Sequence, residues 1–524
     1  MRGYNLSMSN TSATNPAAPH TNSLFVGGII DSATLPALMR AAGNQGSEGA
    51  KSEAAGAPPV PPTSITEHEV TINNANVKYR ATAGTLPVRS SGEGKSKAQM
   101  FYVAYERLGI DDHAARPITF VFNGGPGSSS VWLHMGALGP KRVKLSEEGH
   151  PLPRRGEVID NEYSWLDLTD LVFIDPVSTG LSRPTEGEDA KQFHSVEDDV
   201  KSVGEFIRLY TTRSKRWQSP KFLAGESYGS TRAAALAFHM QTQHGMYFDG
   251  VTLISPALDF QTLCFDHGND LPYPLFLPTY AATAFQHGKL TEHAGKTIQD
   301  VIKRAEGFAL KTYLPALSQG GRLGVEEKDQ IAQELAILTG IDAATWIRMN
   351  LRINDGEFFK LLLRNQARMV GRLDTRFVCP VLARCESDIN ADPSYAAING
   401  AFTQALHTHL LGTLNYTSEA KYEILYLGLE HWNFNASNKY VTTSPDLHKA
   451  MVDNPRLRVL ICCGYFDAAT PHFAAEFSAA HIGLDSEIHS RIKTKHFGAG
   501  HMMYIRHADL VQLKNDAAAF YLHD

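Results

Sequence analysis

Cysteine is scarce in this chain: five occur in 524 residues, Cys264, Cys379, Cys385, Cys462 and Cys463. A small odd number without paired spacing excludes a disulfide scaffold. None has the CxxC and His spacing of a zinc site, so no metal is expected. Cys379 and Cys385 lie near enough in sequence for one local bridge, although buried or idle thiols are the favoured reading. Long apolar runs are missing too. No stretch of about 18 apolar residues is present, so no membrane span is expected. Basic charge is not in excess: 49 Lys and Arg stand against 55 Asp and Glu, a net charge of −6. That balance supplies no electrostatic field for nucleic acid. The N-terminal region lacks a short basic lead and a clean apolar run, because Asp31 interrupts Leu24 to Met39. The match to a secretory signal is poor, and a cytoplasmic chain is expected ahead of an exported one.

What is present falls into blocks. Residues 1–64 are rich in Ala, Gly, Ser, Pro and Asn and cannot bury enough apolar surface to fold, so they are expected to be a disordered leader or tail. His68 to Tyr79 and Met100 to Glu106 alternate like half-buried antiparallel strands. Buried-strand runs then alternate with helical patterns. The strand candidates are Pro117 to Asn123, Asp170 to Asp175, Lys221 to Ala224 and Val251 to Ser255. Val196 to Thr211 and Thr231 to Gln241 have helical periodicity. This alternation predicts an α/β fold, a mainly parallel sheet with helices on both faces. Residues 261–440 instead predict helices, at Glu292 to Leu317, Val325 to Leu338 and Phe358 to Gln366. Strands return at Arg456 to Cys463 and, more weakly, at Ile488 to Lys495. The expectation is a core built from residues 65–260 and 441–524, interrupted by a helical insertion over residues 261–440 that caps the site.

The chemistry concentrates in three places. Gly225-Glu226-Ser227-Tyr228-Gly229 is the one GxSxG in the chain, and it stands between a strand and a helix. That is the setting of a nucleophile elbow, which exposes a serine hydroxyl at the C-terminal edge of a sheet. A serine needs a base, and the base needs an orienting carboxylate, arriving in the chain order Ser, acid, His. Asp467 follows the strand at Arg456 to Cys463, and His501 sits in Gly498-Ala499-Gly500-His501-Met502. Loops at strand C-termini are where open α/β sheets place their ligands. Position and glycine context favour His501 over His472, His496 and His507 among the 22 histidines. The third place is Asn123-Gly124-Gly125-Pro126-Gly127-Ser128-Ser129-Ser130, which follows an early strand. It has neither GxGxxG nor GK[ST], which argues against a nucleotide loop. The N–H groups of Gly125 and Tyr228 are assigned to an oxyanion hole.

In this order, NGGPGSSS, DPVSTGLS, GESYG, GYFDAATP and GAGHM resemble the serine carboxypeptidases of peptidase family S10, over roughly residues 66–524. The resemblance implies an α/β-hydrolase core with a helical insertion. It also implies a Ser227–Asp467–His501 triad, with Gly125 and Tyr228 as oxyanion donors. Asn123, Gly124 and Glu226 match the positions that bind the free C-terminal carboxylate of a peptide. Two carboxylates can touch only if one is protonated, so Glu226 would need a proton to hold such a substrate. No metal or organic cofactor is implied. Three departures stand out: Ser128 replaces a bridged cysteine, Ala137 replaces a second glutamate, and Ser178 replaces a common glycine. The expected activity is release of the C-terminal amino acid from peptides. An esterase or acyltransferase with the same triad is the alternative, and a non-catalytic binding protein on this scaffold is a third.

Overall fold

The computed structural model describes residues 60–522 apart from 90–93, 155, 292, 382–391, 427, 430–431 and 484. Most of the expected leader (residues 1–59) and the Cys385 half of the suggested bridge lie outside these residues. Cys264, Cys462 and Cys463 are buried free thiols.

The first strands form by local turn chemistry. His68 to Tyr79 is a hairpin, not the single strand its alternation predicts. Strand β1 (Ser64–Ile72) turns through Asn73 and Asn74 into β2 (Ala75–Arg89). Both asparagines have positive φ, 49° and 63°, the backbone of a two-residue hairpin turn and a conformation asparagine tolerates. The continuous alternation concealed the turn because Asn-Asn is polar like the exposed strand positions around it. β3 (Ser96–Arg107) continues the antiparallel meander.

Beyond β3 the sheet becomes parallel. Its strands are β4 (Ile118–Phe122), β5 (Asp170–Ile174), β6 (Lys221–Glu226), β7 (Gly250–Ile254), β8 (Arg458–Gly464) and β9 (Ile492–Phe497). The spatial order is β1-β2-β3-β5-β4-β6-β7-β8-β9, with a two-residue strand at Arg183–Pro184 beside β3. β5, β4 and β6 to β9 pair in parallel, as the βαβ alternation predicts. The weak strand expected from Ile488 begins later. Ser486–Ser490 is a helical turn capped by the Asp485 side chain, and β9 starts at Ile492.

Strands buried on both faces need apolar residues at successive positions. In β5, Leu171 and Phe173 join one core while Val172 and Ile174 join the other. The second core is covered by α1 (Val196–Arg213) and α2 (Tyr228–His244). The first lies under the C-terminal helix His507–Leu522. This is the α/β-hydrolase arrangement.

Residues 255–457 all lie between β7 and β8, strands that are neighbours in the sheet. They hold α3 (Pro272–Gln286), α4 (Ile298–Phe308), α5 (Val325–Thr339) and α6 (Pro393–Thr408). The helix expected over Glu292 to Leu317 is broken. α4 ends at Phe308, passes through a wider turn at Ala309–Tyr313, and resumes at Leu314–Ser318, with Pro315 at its first turn. A third core, built largely from α3, α4, α5 and the segments between them, includes Tyr228 of α2, whereas α6 packs into the first core.

One buried ion pair ties the helical layer to the sheet. Arg232 of α2 bonds Asp199 of α1 through Nε at 2.8 Å and donates from Nη1 to the Asn123 carbonyl at 2.8 Å. Its side chain is 1% exposed. Removing one member of such a pair leaves a charge without a partner in the interior. Arg232→Met is therefore expected to lower stability by about 3–5 kcal/mol, read as a fall in the urea midpoint at unchanged slope.

Candidate active site

The elbow is built by strand register. Phe122 of β4 faces Gly225 of β6, so the loops that leave these two strands emerge side by side. β6 runs straight into α2 through Ser227, whose φ of 59° and ψ of −129° lie far from both strand and helix values. Ser227 N donates to the Ile254 carbonyl at 3.0 Å, and Ser230 N donates back to the Ser227 carbonyl at 2.8 Å. The helix therefore begins one residue after the serine, three residues earlier than its periodicity predicts. The glycine-rich loop lies directly on this turn. A Cβ at Gly124 would sit 2.4 Å from Tyr228 N and 2.7 Å from both the Glu226 carbonyl and Gly229 N. Only a residue with no side chain fits there.

Asp467 and His501 meet as the chain order anticipates. His501 Nδ1 lies 2.8 Å from Asp467 Oδ2, and both side chains are buried. Asp467 Oδ1 also accepts from Ala469 N at 2.8 Å and Thr470 N at 2.9 Å. Thr470 Oγ1 lies 2.8 Å from Asp467 Oδ2 and 2.9 Å from the Ser255 carbonyl. An ionised carboxylate only accepts, so the proton between the pair sits on Nδ1 and Nε2 keeps its lone pair. The histidine backbone is clamped as well: His501 N donates to the Leu373 carbonyl at 2.6 Å, and Ser255 Oγ donates to the His501 carbonyl at 2.7 Å. Burial disfavours the imidazolium, but the charge and hydrogen bond of Asp467, with the charge of Glu226, outweigh it and raise the His501 pKa.

Glu226, beside the serine, is 3% exposed. Burial lifts its pKa to about 7, against the lowering effect of His501 and of a hydrogen bond from Tyr504. That bond, Tyr504 Oη to Glu226 Oε2 at 2.6 Å, was not foreseen from the sequence. Ala137 is buried and offers no carboxyl group. Its neighbour Gly136 makes room for the tyrosine ring, since a Cβ there would lie 2.5 Å from Tyr504 Cε2. A phenol thus partners Glu226. Asn123 Oδ1 accepts from Leu133 N at 3.1 Å, which turns its amide nitrogen toward Glu226. That nitrogen is buried and makes no hydrogen bond of good geometry within the chain. A buried donor without a partner is what a site for an acceptor group requires.

The other departures acquire physical accounts. Ser178 has a φ of 76°, the left-handed region that favours glycine, and its hydroxyl lies 2.9 Å from His194 Nε2. Ser128 accepts from Trp132 Nε1 at 2.9 Å and forms a backbone bridge with Leu425. Beside it, Tyr426 N donates to the Gly127 carbonyl at 2.7 Å and Ser129 N to the Ile424 carbonyl at 3.0 Å. Backbone bonds therefore tether the loop where a disulfide is absent.

Sequence reading also passed over Arg232 and Thr470. Thr470 lies three residues after an aspartate in a turn, the spacing of a local side-chain-to-backbone motif. Arg232 is one helical turn beyond the elbow, on the face that must be buried. Gly124→Ala should force the loop off the elbow. We expect it to cost about 1–3 kcal/mol and to reduce turnover of any acyl substrate by about 100-fold or more, if the loop supplies an oxyanion donor. Steady-state kinetics on the folded variant would measure this.

The family model described as serine carboxypeptidase, Peptidase_S10, matches residues 73–303. A pheromone-processing carboxypeptidase, KEX1 of Saccharomyces cerevisiae, is 31% identical over 156 residues, which cover 28% of this chain and 20% of that protein. Serine carboxypeptidase-like 45 of Arabidopsis thaliana is 23% identical over 243 residues, covering 41% of this chain and 48% of the relative. These matches thus span between a fifth and a half of the relatives' own length. The crystal structure of a KEX1 form from Saccharomyces cerevisiae, a prohormone-processing carboxypeptidase, superposes with a TM-score of 0.52 at 15% identity. The superposition covers 84% of this chain and 91% of the other, and it supports the fold. The family model lies over both glycine-rich motifs, and the remaining motifs follow in order on the same sheet, so over residues 73–303 the chain is similar to the serine carboxypeptidases of peptidase family S10.

Proposed function

We propose that this protein is a serine-type carboxypeptidase that releases the C-terminal amino acid from peptides with a free terminal carboxylate. The observation that carries the reading is the elbow. Ser227 is held in a strained left-handed backbone at a strand-to-helix turn, with the Gly124 backbone packed on the Tyr228 N–H. In the proposed reaction Ser227 Oγ attacks the last peptide carbonyl while His501 Nε2 takes its proton. Asp467 holds the imidazolium that forms. The N–H groups of Gly125 and Tyr228 stabilise the tetrahedral oxyanion. His501 then returns the proton to the leaving amine, the amino acid departs, and water hydrolyses the acyl-enzyme by the same route in reverse.

The exopeptidase part rests on Glu226, with Asn123 and Gly124. With Oε2 accepting from Tyr504, a proton on Glu226 lies on Oε1 and can be donated to the substrate carboxylate, while Asn123 Nδ2 supplies a second donor. We assign residues 65–260 and 441–524 to the catalytic core, and residues 261–440 to a cap over the site. The edge-on packing of Trp432 against Tyr228, with ring centroids 5.5 Å apart, supports that assignment.

The pH dependence follows from two raised pKa values. Substrate binding needs protonated Glu226 and fades as pH rises through about 7. Catalysis needs neutral His501, whose pKa is raised, and fades as pH falls. kcat/KM for a free-acid dipeptide should therefore be bell-shaped. The same peptide amidated at its C-terminus should not be cleaved, and Ser227→Ala should abolish release of the amino acid. Cleavage of neither peptide, with Ser227-dependent ester hydrolysis, would instead identify an esterase or acyltransferase.

Glu226→Gln should remove the alkaline limb of the profile. Tyr504→Phe should move that limb upward by about one pH unit, because the lost hydrogen bond favours the ionised carboxylate and one unit is about 1.4 kcal/mol. An unshifted limb in Tyr504→Phe would show that Glu226 does not set it.

A further inference from the structure

Behind the Asp467 loop lies a second cluster of ligand-type side chains that the triad does not use. His472 opens a helix, His472–Ala480, which starts five residues after Asp467 and presents Glu476 one turn later. Glu306 reaches the same point from α4. One ligand atom from each of Glu306, His472 and Glu476 can be chosen so that all three lie within 4.8 Å of one another. A fourth ligand-type side chain, and the second imidazole, borders them: His496 Nε2, on β9, bonds Glu476 Oε1.

The histidine is the informative member. The His472 side chain is 0% exposed. Its Nδ1 faces the Thr279 hydroxyl at 3.3 Å, and its Nε2 is buried with no hydrogen-bond partner. A buried ring nitrogen of this kind is rarely left alone. The carboxylate oxygen Glu306 Oε1 is 3.6 Å away. A charge-assisted hydrogen bond would close to about 2.7–2.9 Å. Two ligands held tetrahedrally at about 2.0–2.1 Å from one ion stand about 3.4 Å apart. The observed gap fits a pair of ligands better than an ion pair. The Thr279 contact orients the ring in the way a second hydrogen bond orients a metal-bound histidine. Glu306 and Glu476 are 29% and 30% exposed, so both carboxylates can close on an ion, and one edge of the cluster opens to solvent.

We propose that Glu306, His472 and Glu476 bind a divalent transition ion, of which Zn²⁺ is the representative, with His496 beside them as a fourth ligand or as the hydrogen-bond partner of Glu476. One or two imidazoles with two carboxylates suit zinc, manganese or cobalt and disfavour calcium and magnesium. The site is structural. It joins α4, which belongs to the long connection between β7 and β8, to the helix that follows the loop holding Asp467. An ion there would fasten that connection to the core.

The test uses the full chain without an affinity tag, stripped with a chelator and titrated with zinc sulfate in a calorimeter. Calcium chloride serves as the comparison. The expected result is one Zn²⁺ per chain with micromolar affinity, a melting midpoint raised by about 3 °C at saturation, and no such response to calcium. Glu306→Gln with Glu476→Gln changes only part-exposed carboxylates, so the fold should survive. That double variant should weaken zinc binding at least 10-fold and remove the thermal shift. Absence of saturable binding at one equivalent would overturn the proposal. So would equal zinc affinity in the double variant, which would place the ion on other histidines, and so would an equal response to calcium.

Discussion

The active-site region depends on a single close approach, that of the Gly124 backbone to the turn between β6 and α2. Sheet register brings the two loops together, and the missing side chain lets them touch. The Tyr228 N–H and the loop backbone then face one another at the start of a helix, where unpaired N–H groups concentrate. The left-handed backbone of Ser227 costs about 1–2 kcal/mol, and it persists because its surroundings over-determine it. Ser227 N and the Ser227 carbonyl are both bonded, and Arg232 grips the carbonyl of Asn123 from below while stacking its guanidinium over Phe122 and Tyr228. The arginine thus holds both sides of the contact, and the cost of burying it is met by Asp199.

The second constraint is electrostatic. Glu226, Asp467 and His501 share a buried region, so the charge of each is felt by the others. Asp467 accepts from the N–H groups of Ala469 and Thr470 and from the Thr470 hydroxyl. Glu226 has only Tyr504 and the Asn123 amide to favour its charge, so burial prevails and it is the member that takes a proton near neutrality. A second glutamate at position 137 could share that proton. A tyrosine can only donate to the carboxylate, because burial also drives its own pKa well above the ordinary value. In the proposed reaction the acid dependence of binding then rests on the one carboxyl group of Glu226.

Much of this was legible in the residues. The parallel strands were visible because strands buried on both faces must be apolar at consecutive positions, a pattern that needs no tertiary information. The elbow, the Asp467 loop and the His501 loop were visible because each combines a reactive side chain with glycines after such a strand. The Asn73-Asn74 hairpin was hidden because its turn residues continue the polar alternation. Tyr504 was hidden for a different reason: an aromatic three residues after a histidine looks like core, and only the sheet shows that its hydroxyl ends at Glu226. The wider turn at Ala309–Tyr313 left no mark in a pattern that stays apolar on one side throughout.

The long connection between β7 and β8 also frames the loops of Asp467 and His501. Residues 372–375 run between the two loops that carry Asp467 and His501 and bond to both. Ala468 N donates to the Arg372 carbonyl at 3.1 Å and Thr375 N to the Phe466 carbonyl at 3.0 Å, while the Leu373 carbonyl takes the N–H of His501. The Asp374 carboxylate accepts from Gly500 N at 3.0 Å and is held by Arg376. A sheet edge alone could not set the His501–Asp467 distance, because β8 and β9 end before either side chain begins its loop. The strip of backbone from the connection supplies the missing register, acting as a short bridging strand beyond the sheet. Deleting the helical segment as a unit would therefore remove part of the frame of the histidine.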